Sequence, residues 1–262
     1  MPPSALPLSN WFVLSLRPVG EHRRLLQAAR RLGATGIALP GLRLAAREDT
    51  PTRAALDSAL SAELVIFTSP AAVRFAMRLR TEANARRHPT SRPFALGAAT
   101  AAALRRAGGA DAVLPARADS EALLDLPELR VVAGRRVGLV TAPGGRGLLA
   151  AGLRERGARL AIAEVYERRP ARLTARHHRA LLAARGDGAV CLTSAEALAN
   201  VLAALPEAAR ARLLGCVAVV SSARLAKIAA AAGFASVALA AAPTPRALLD
   251  ALVLHARRRG FR

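Results

Sequence analysis

One local pattern recurs four times along the chain and constrains the fold more than any other feature. In each copy a short apolar run ends in small residues that include Ser or Thr, and a helix-length segment begins at once. Two copies lie in the first half, starting near residues 65 and 94, and two lie in the second half, starting near residues 190 and 219. In both halves the second copy closes on glycine before another short apolar run. The repetition predicts two similar domains built from strand-helix units.

The apolar runs are short and continuous rather than alternating with polar residues. The first unit shows this with a run over 11–16, a helix over about 21–32 and a second strand near 37–39. Strands that are apolar on both faces belong to parallel sheets with helices on both sides. The sequence therefore predicts an α/β protein with two doubly wound parallel-sheet domains.

Two extended, proline-punctuated segments, 39–44 and 165–170, interrupt this alternation. If they run side by side, they form a two-stranded linker, and one domain is split by the other. We therefore predict a discontinuous domain made of residues 1–39 and 170–262, and an inserted domain made of residues 40–169.

The charge balance is strongly positive, with 39 Lys and Arg residues against 18 Asp and Glu residues and a net charge of +21. Lys227 is the single lysine, so almost all of this charge is arginine, which binds carboxylates and phosphates in a fork geometry. A polyanionic partner is one interpretation. An arginine-rich, solvated surface of the kind that a GC-rich genome encodes is the other, and the sequence leaves both open.

Several classes of site are disfavoured. Cys191 and Cys216 lie in apolar runs, and the five histidines lack metal-ligand spacing, so neither a disulfide nor a metal is expected. No Walker or dinucleotide-binding glycine pattern follows a strand, so no nucleotide cofactor is expected. The N-terminus has no basic stretch before a long apolar run, so no secretory signal is expected. The uncharged stretch 228–245 is alanine-rich and broken by glycine and prolines. We expect a cytoplasmic protein without a membrane span.

The repeated turns are candidate anion sites. The first N–H groups of a helix lack intrahelical partners, and the helix dipole favours an anion there. Ser and Thr are also ordinary N-caps, so each residue alone has a purely structural interpretation. Facing turns from two domains would form a cleft for a small polyanion, with these candidate binding residues: Thr68, Ser69, Thr100, Thr193, Ser194, Ser221 and Ser222.

Two further features have both a functional and a structural interpretation. The loop 141–147 contains Gly144, Gly145 and Arg146 between a strand and a helix, so it either exposes amides to a carboxylate or forms a simple turn. Tyr166 is the single tyrosine and ends an apolar strand. It is either a proton donor beside a cleft or an amphipathic side chain at a domain edge.

Taken together, the motifs of the chain resemble those of the uroporphyrinogen-III synthase family over some 230 residues. No single motif decides this, but their order and spacing do. The segments that carry the resemblance are Leu16-Arg17-Pro18, Phe67-Thr68-Ser69-Pro70, Leu96-Gly97-Ala98-Ala99-Thr100, Gly144-Gly145-Arg146, Val165-Tyr166-Glu167-Arg168, Leu192-Thr193-Ser194, Ser221-Ser222-Ala223-Arg224 and Ala232-Gly233-Phe234.

The resemblance implies two α/β domains on a two-stranded linker and an enzyme of tetrapyrrole (haem) biosynthesis. It implies a carbon-oxygen lyase that closes hydroxymethylbilane, a linear tetrapyrrole with eight carboxylates, to uroporphyrinogen III. Water is lost and the last pyrrole ring is inverted. Neither cofactor nor metal is implied, and we expect a monomer without a membrane or specific nucleic-acid partner.

Roles follow from the same resemblance, position by position. Tyr166 is the candidate proton donor to the departing hydroxyl, and substrate carboxylates are expected at Arg17, Gly144, Gly145, Arg146 and the Ser and Thr turns. The chain departs from the family pattern at Thr141-Ala142-Pro143, where many relatives carry an arginine before the glycines.

The alternative class is a non-catalytic α/β protein that binds polyanions or nucleic acid. The net charge favours it. The scarcity of aromatics, at 3%, and the scattered arginines count against it.

Overall fold

A computed structural model of the chain describes residues 6–80, 92–108, 111–144 and 147–260. It separates the chain into two compact units, which we call the split unit (Met1–Arg43 with Arg169–Arg262) and the inserted unit (Leu44–Arg168). Whether the predicted segments 1–39 with 170–262 and 40–169 fold as independent domains stays a prediction.

The split unit contains a five-stranded sheet in the order β11-β10-β9-β1-β2, and every strand pair is parallel. Its strands are β1 (Trp11–Ser15), β2 (Thr35–Ala38), β9 (Asp187–Leu192), β10 (Val217–Val220) and β11 (Val237–Leu239). Its helices are α1 (Arg23–Arg31), α8 (Ala175–Leu182), α9 (Ala195–Ala204), α10 (Glu207–Leu214), α11 (Ala223–Ala231) and α12 (Pro245–Gly260).

Both faces of this sheet are covered. Phe12 and Leu14 pack on one side with α9, α10 and α11, while Trp11 and Val13 pack on the other with α1 and α12. Alternate residues of β1 thus enter different cores, which explains its continuous apolar run. The doubly wound parallel fold predicted from the sequence is confirmed here.

The inserted unit has a four-stranded parallel sheet in the order β5-β4-β6-β7. Its strands are β4 (Leu64–Phe67), β5 (Phe94–Ala95), β6 (Arg136–Thr141) and β7 (Arg159–Glu164). Its helices are α2 (Thr50–Leu60), α3 (Pro70–Leu79), α4 (Ala98–Arg106), α5 (Ser120–Leu124), α6 (Pro127–Arg130) and α7 (Leu148–Glu155). The short run at 112–114 forms a single parallel bridge between Val113 and Phe94 rather than a full strand.

This second sheet is also buried on both faces. Val65 and Phe67 pack with α2, α3 and α4, whereas Leu64 and Ile66 pack with α5, α6 and α7. Gly138 of β6 lets α2 approach the sheet closely, because a Cβ there would lie 2.0 Å from the carbonyl oxygen of Ala59.

The two extended segments pair as predicted. β3 (Leu42–Ala46) and β8 (Tyr166–Pro170) form a two-stranded sheet, and the chain passes from one unit to the other within these two strands. The fold class is therefore two doubly wound α/β units joined by a two-stranded linker.

Within the described residues, no helix is long and apolar enough to cross a membrane. The cytoplasmic location stays a prediction.

Candidate active site

The strand order of the inserted unit creates a crevice between β4 and β6. The chain leaves β4 toward β5 on one side and returns to β6 on the other side, so the connecting segments diverge at the carboxyl ends of these two strands. Ligands of open parallel sheets bind at such a divergence. An open pocket of about 460 Å³ lies there, and the residues that line it include Thr68, Ser69, Asp119, Glu121, Thr141, Gly144, Glu164, Tyr166 and Arg168.

Two threonines close the base of the crevice. Thr68 directly follows β4, and Thr141 is the last residue of β6. Their hydroxyl oxygens lie 3.0 Å apart in a hydrogen bond, and the Thr68 hydroxyl also lies 3.4 Å from the carbonyl oxygen of Val140. This bond ties the ends of the two strands together and leaves both side chains half-buried in the pocket wall.

Ser69 combines a structural and a site position. Its side chain accepts a hydrogen bond of 3.0 Å from the backbone N–H of Ala72, which caps α3. The same oxygen lies 3.1 Å from the phenol oxygen of Tyr166. The cap expected from the sequence is present, and it carries an additional contact that crosses from α3 to β8.

Tyr166 is fixed at the start of β8. The residue is 5% exposed, and its ring stacks on Phe75 of α3 with centroids 5.2 Å apart and 17° between the planes. Tyr166 is a lining residue of the pocket and also belongs to the apolar core of the unit. The packing that the amphipathic interpretation expected is therefore present. The role of proton donor stays a prediction.

Three carboxyl side chains, those of Asp119, Glu121 and Glu164, line the pocket together with the guanidinium group of Arg168. Glu164 pairs with Arg47 at 2.7 Å, and Asp119 lies 3.1 Å from Arg117. The Ala122 N–H and then Arg117 hold the pKa of Asp119 below its ordinary value. Arg168 donates to the carbonyl oxygen of Pro143 at 3.4 Å. It is the one cation of the lining among the described residues, so it can offer its remaining N–H groups to a carboxylate.

The glycine loop is only partly described. Gly144 adopts φ +79, which favours glycine, and a Cβ there would lie 3.7 Å from Arg168 Nη1. It lines the pocket as expected for the loop. Gly145 and Arg146 lie outside the described residues.

Thr100 occupies a different setting from the other predicted residues of this unit. It lies in the first turn of α4, where Gly97 is the N-cap, and it is 3% exposed. It is not among the residues that line the pocket. The described geometry therefore does not bring Thr100 together with Ser69 and Tyr166.

The remaining predicted residues lie in the split unit, at the carboxyl ends of its central strands. Ser194 and Ser222 are N-caps that accept from Ala197 N–H at 3.2 Å and Leu225 N–H at 3.3 Å. Thr193 and Ser221 each follow a paired strand, β9 and β10. Ser194 and Ser222 thus make the same N-cap hydrogen bond as Ser69.

Arg17 follows β1 and reaches the loop after β11. It donates to the carbonyl oxygen of Pro243 at 3.0 Å, and its buried Nε has no partner within the part of the chain that the structure describes. The nearby His22 ring lies 2.9 Å from the hydroxyl of Ser15. Burial and then His177 lower the pKa of His22, so the neutral ring is favoured.

Sequence reasoning gave no individual site role to Thr141 or Arg168, which line the pocket, or to Phe75, which stacks on the Tyr166 ring. Thr141 ends a strand beside the glycine loop, a signal that could have identified it. Arg168 lies two positions after Tyr166 in the same strand and thus on the same face, which period-two counting could have found. Phe75 gave no such signal, because an aromatic in an amphipathic helix is usually core.

Within the described residues, no group of three or more His, Cys, Asp or Glu side chains could hold a metal ion.

The chain is similar to known proteins over most of its length. The family model described as Uroporphyrinogen-III synthase HemD matches residues 23–250. The uroporphyrinogen-III synthase of Salmonella typhimurium is 34% identical over 244 residues, with 92% of this chain and 99% of the relative covered. The Escherichia coli protein of the same name is 31% identical over 243 residues, with the same shares covered.

Solved structures agree at the level of the fold. The uroporphyrinogen-III synthetase of Helicobacter pylori aligns with a TM-score of 0.62 at 18% identity, covering 93% of this chain and 98% of that one. A mutant uroporphyrinogen III synthase of Thermus thermophilus aligns with a TM-score of 0.55 at 20% identity, covering 95% and 99%. The matched family model and the two sequence relatives, which span almost the whole chain, show that this chain belongs to the uroporphyrinogen-III synthase family.

Proposed function

We propose that the chain is a carbon-oxygen lyase that closes hydroxymethylbilane to uroporphyrinogen III. The observation that carries the proposal is the buried Tyr166, which lines the pocket at the divergence of β4 and β6 and whose phenol oxygen lies 3.1 Å from the Ser69 hydroxyl. The family membership supplies the substrate class. This assignment is preferred to the non-catalytic polyanion-binding alternative, for which no described feature other than net charge speaks.

In the proposed first step the terminal C–O bond of the substrate breaks. The hydroxyl leaves as water with the proton of Tyr166, and the pyrrole electrons form an azafulvene. The substituted carbon of the last ring then attacks the azafulvene carbon, giving a spiro intermediate. The bond from that substituted carbon to the bridge carbon of the third ring then breaks, which leaves a second azafulvene at the bridge carbon. The free α-carbon of the last ring attacks this bridge carbon, so the last ring is inverted, and loss of the proton from that α-carbon restores aromaticity. A proton returns to Tyr166, so the chain is unchanged after one turnover.

Most of the catalytic effect is assigned to orientation. The substrate is reactive enough to close without the enzyme, giving the isomer without inversion, so the chain must favour one geometry rather than supply a strong acid or base. This fits a site in which one phenol, that of Tyr166, is the proposed proton donor. It also fits walls made of helix N-termini and amide-rich turns.

Carboxylate binding is assigned to two sets of groups. In the inserted unit we assign it to Thr68, to the amides of the loop that begins at Thr141, and to the N–H groups of Arg168 that Pro143 leaves free. In the split unit we assign it to the caps at Ser194 and Ser222, to Thr193 and Ser221, and to Arg17. Thr100, Gly145 and Arg146 stay predictions, as do the monomeric state and the absence of a cofactor.

The test is to mix the purified chain with freshly made hydroxymethylbilane, without added metal or cofactor, and to separate the products by isomer. We expect mainly the type III isomer, at a rate well above a protein-free control. The type I isomer alone, formed at the control rate, would remove the enzyme assignment. A matched incubation at high salt separates turnover from incidental polyanion binding, which weakens with ionic strength.

A further inference from the structure

Counting hydrogen-bonding groups shows what Ser69 can offer to Tyr166. A serine hydroxyl has one proton and two acceptor lone pairs. One lone pair of Ser69 is occupied by the N–H of Ala72, at 3.0 Å. The proton and one lone pair remain for the Tyr166 oxygen, which lies 3.1 Å away.

We propose that Ser69 is a positioning residue that donates its proton to the phenol oxygen of Tyr166, rather than a carboxylate ligand of the substrate. The resulting chain of donors runs from Ala72 N–H to the Ser69 hydroxyl, then to the Tyr166 hydroxyl, and from there into the pocket. The catalytic consequence of this hydrogen bond rests on the proposed function, whereas the direction of the hydrogen bond does not.

Two physical effects favour this direction. An oxygen that already accepts a hydrogen bond is a better donor, because successive hydrogen bonds polarise one another. The N-terminus of α3 carries the positive end of its helix dipole next to Ser69, which also favours proton donation away from the helix. The Tyr166 proton is then left free to point into the pocket.

The arrangement has a catalytic consequence. When Tyr166 gives up its proton, its oxygen becomes an anion, and the bond from Ser69 becomes charge-assisted. Such bonds are about twice as strong as neutral ones, so Ser69 stabilises the ionised phenol more than the neutral one. The stacked Phe75 ring holds the phenol plane, so the oxygen keeps its place while its charge changes.

The fold allows a direct optical test, because Tyr166 is the single tyrosine of the chain and Trp11 does not ionise. The near-ultraviolet absorbance of the phenolate therefore reports on this group alone during an alkaline titration. Ser69→Gly is expected to raise the midpoint of this absorbance change relative to the wild-type protein, because the phenolate loses a charge-assisted hydrogen bond. Glycine is a fair N-cap, so α3 is retained.

Kinetics with hydroxymethylbilane supply the second readout. Ser69→Gly should lower kcat about 3- to 10-fold with KM nearly unchanged. Ser69→Thr, which restores a hydroxyl and a cap, should recover most of the rate. In a Tyr166→Phe background, Ser69→Gly should have no further effect on kcat, because the group it acts through is gone.

Asp49→Ala is the matched control. Asp49 caps α2 in the same unit by accepting from Thr52 N–H at 2.8 Å, and it is not a pocket residue. Loss of this cap should move neither the titration midpoint nor kcat. A shift in Asp49→Ala equal to that in Ser69→Gly would show a general structural effect and overturn the proposal.

Other outcomes also overturn it. An unchanged or lower midpoint in Ser69→Gly would show that Ser69 does not stabilise the phenolate. A raised KM with unchanged kcat, multiplying with the effect of Tyr166→Phe, would make Ser69 a substrate ligand. If the protein forms no type III product, the proposed function fails, but the titration still decides whether Ser69 donates to Tyr166.

Discussion

Replacing Tyr166 by Phe removes one oxygen and little else. The ring is 5% exposed and stacks on Phe75 at 5.2 Å, and a phenylalanine ring can keep both the burial and the stacking. The hydroxyl has one described partner, Ser69 at 3.1 Å. Loss of a neutral hydrogen bond costs about 0.5–1.5 kcal/mol of stability, so the variant is expected to fold.

Turnover should respond more strongly than stability. General acids typically raise the rate about 10²- to 10⁴-fold. We expect Tyr166→Phe to lower kcat by only about 10- to 100-fold, because the substrate can lose its hydroxyl group without the enzyme. That loss corresponds to about 1.4–2.7 kcal/mol in the activation free energy. The product should still be the type III isomer, since binding geometry rather than the acid sets ring inversion.

The assay is kcat on fresh hydroxymethylbilane with isomer-resolved products, alongside urea unfolding of the wild-type and variant proteins. An unchanged kcat in a folded variant would refute the proton-donor role of Tyr166. A switch to type I product at the wild-type rate would contradict the assignment of ring inversion to binding geometry rather than to the acid.

Three further predictions concern stability and thiol chemistry. Gly138→Ala should destabilise the inserted unit by about 1–3 kcal/mol in urea unfolding, because its Cβ would lie 2.0 Å from Ala59 O and α2 must move, whereas Gly215→Ala meets nothing closer than 3.5 Å and should change little. Burial and then His177 lower the pKa of His22 in the folded protein, so below about pH 6.5 the unfolded chain binds more protons than the folded one. The free energy of unfolding should therefore fall as the pH drops through that value toward the folded pKa, and it should fall less steeply in His22→Gln. An equal slope in both proteins would contradict this origin. Burial raises the pKa of the Cys191 thiol to about 12 and that of Cys216 to about 11, so a disulfide reagent at pH 8 should label neither thiol quickly until denaturant is added, and rapid labelling of the native protein would contradict the described burial.

Most of the fold could be predicted from local sequence pattern. The run 11–16 is apolar at every position because alternate residues of β1 enter two different cores, and this two-sided burial is what marks a parallel sheet. The run at 112–114 was less predictable, because a short apolar segment does not reveal how many backbone hydrogen bonds the adjacent strand can make with it. Val113 makes one bridge to Phe94 and no longer ladder.

In the candidate site, too, some features could be predicted from local sequence and others could not. The caps at Ser69, Ser194 and Ser222 are local features, since a hydroxyl before a helix reaches an N–H three residues ahead whatever the rest of the chain does. Thr100 shows the limit of this reasoning. It repeats the local pattern, but the helix begins three residues earlier at the Gly97 cap, so its side chain is buried.

The sequence by itself determined that the strands belong to parallel sheets and where the helix caps lie, because each depends on residues close together in the chain or on which faces are apolar. The pairing of β3 with β8 joins segments that are far apart in the chain and belongs to the tertiary structure. Tertiary structure alone decided that Ser69 meets Tyr166, 97 residues away, and that Thr68 meets Thr141, 73 residues away. These contacts exist because β4 and β6 are neighbours in the sheet and β8 packs against α3. Strand order is a property of the whole packed unit, and no local spacing encodes it.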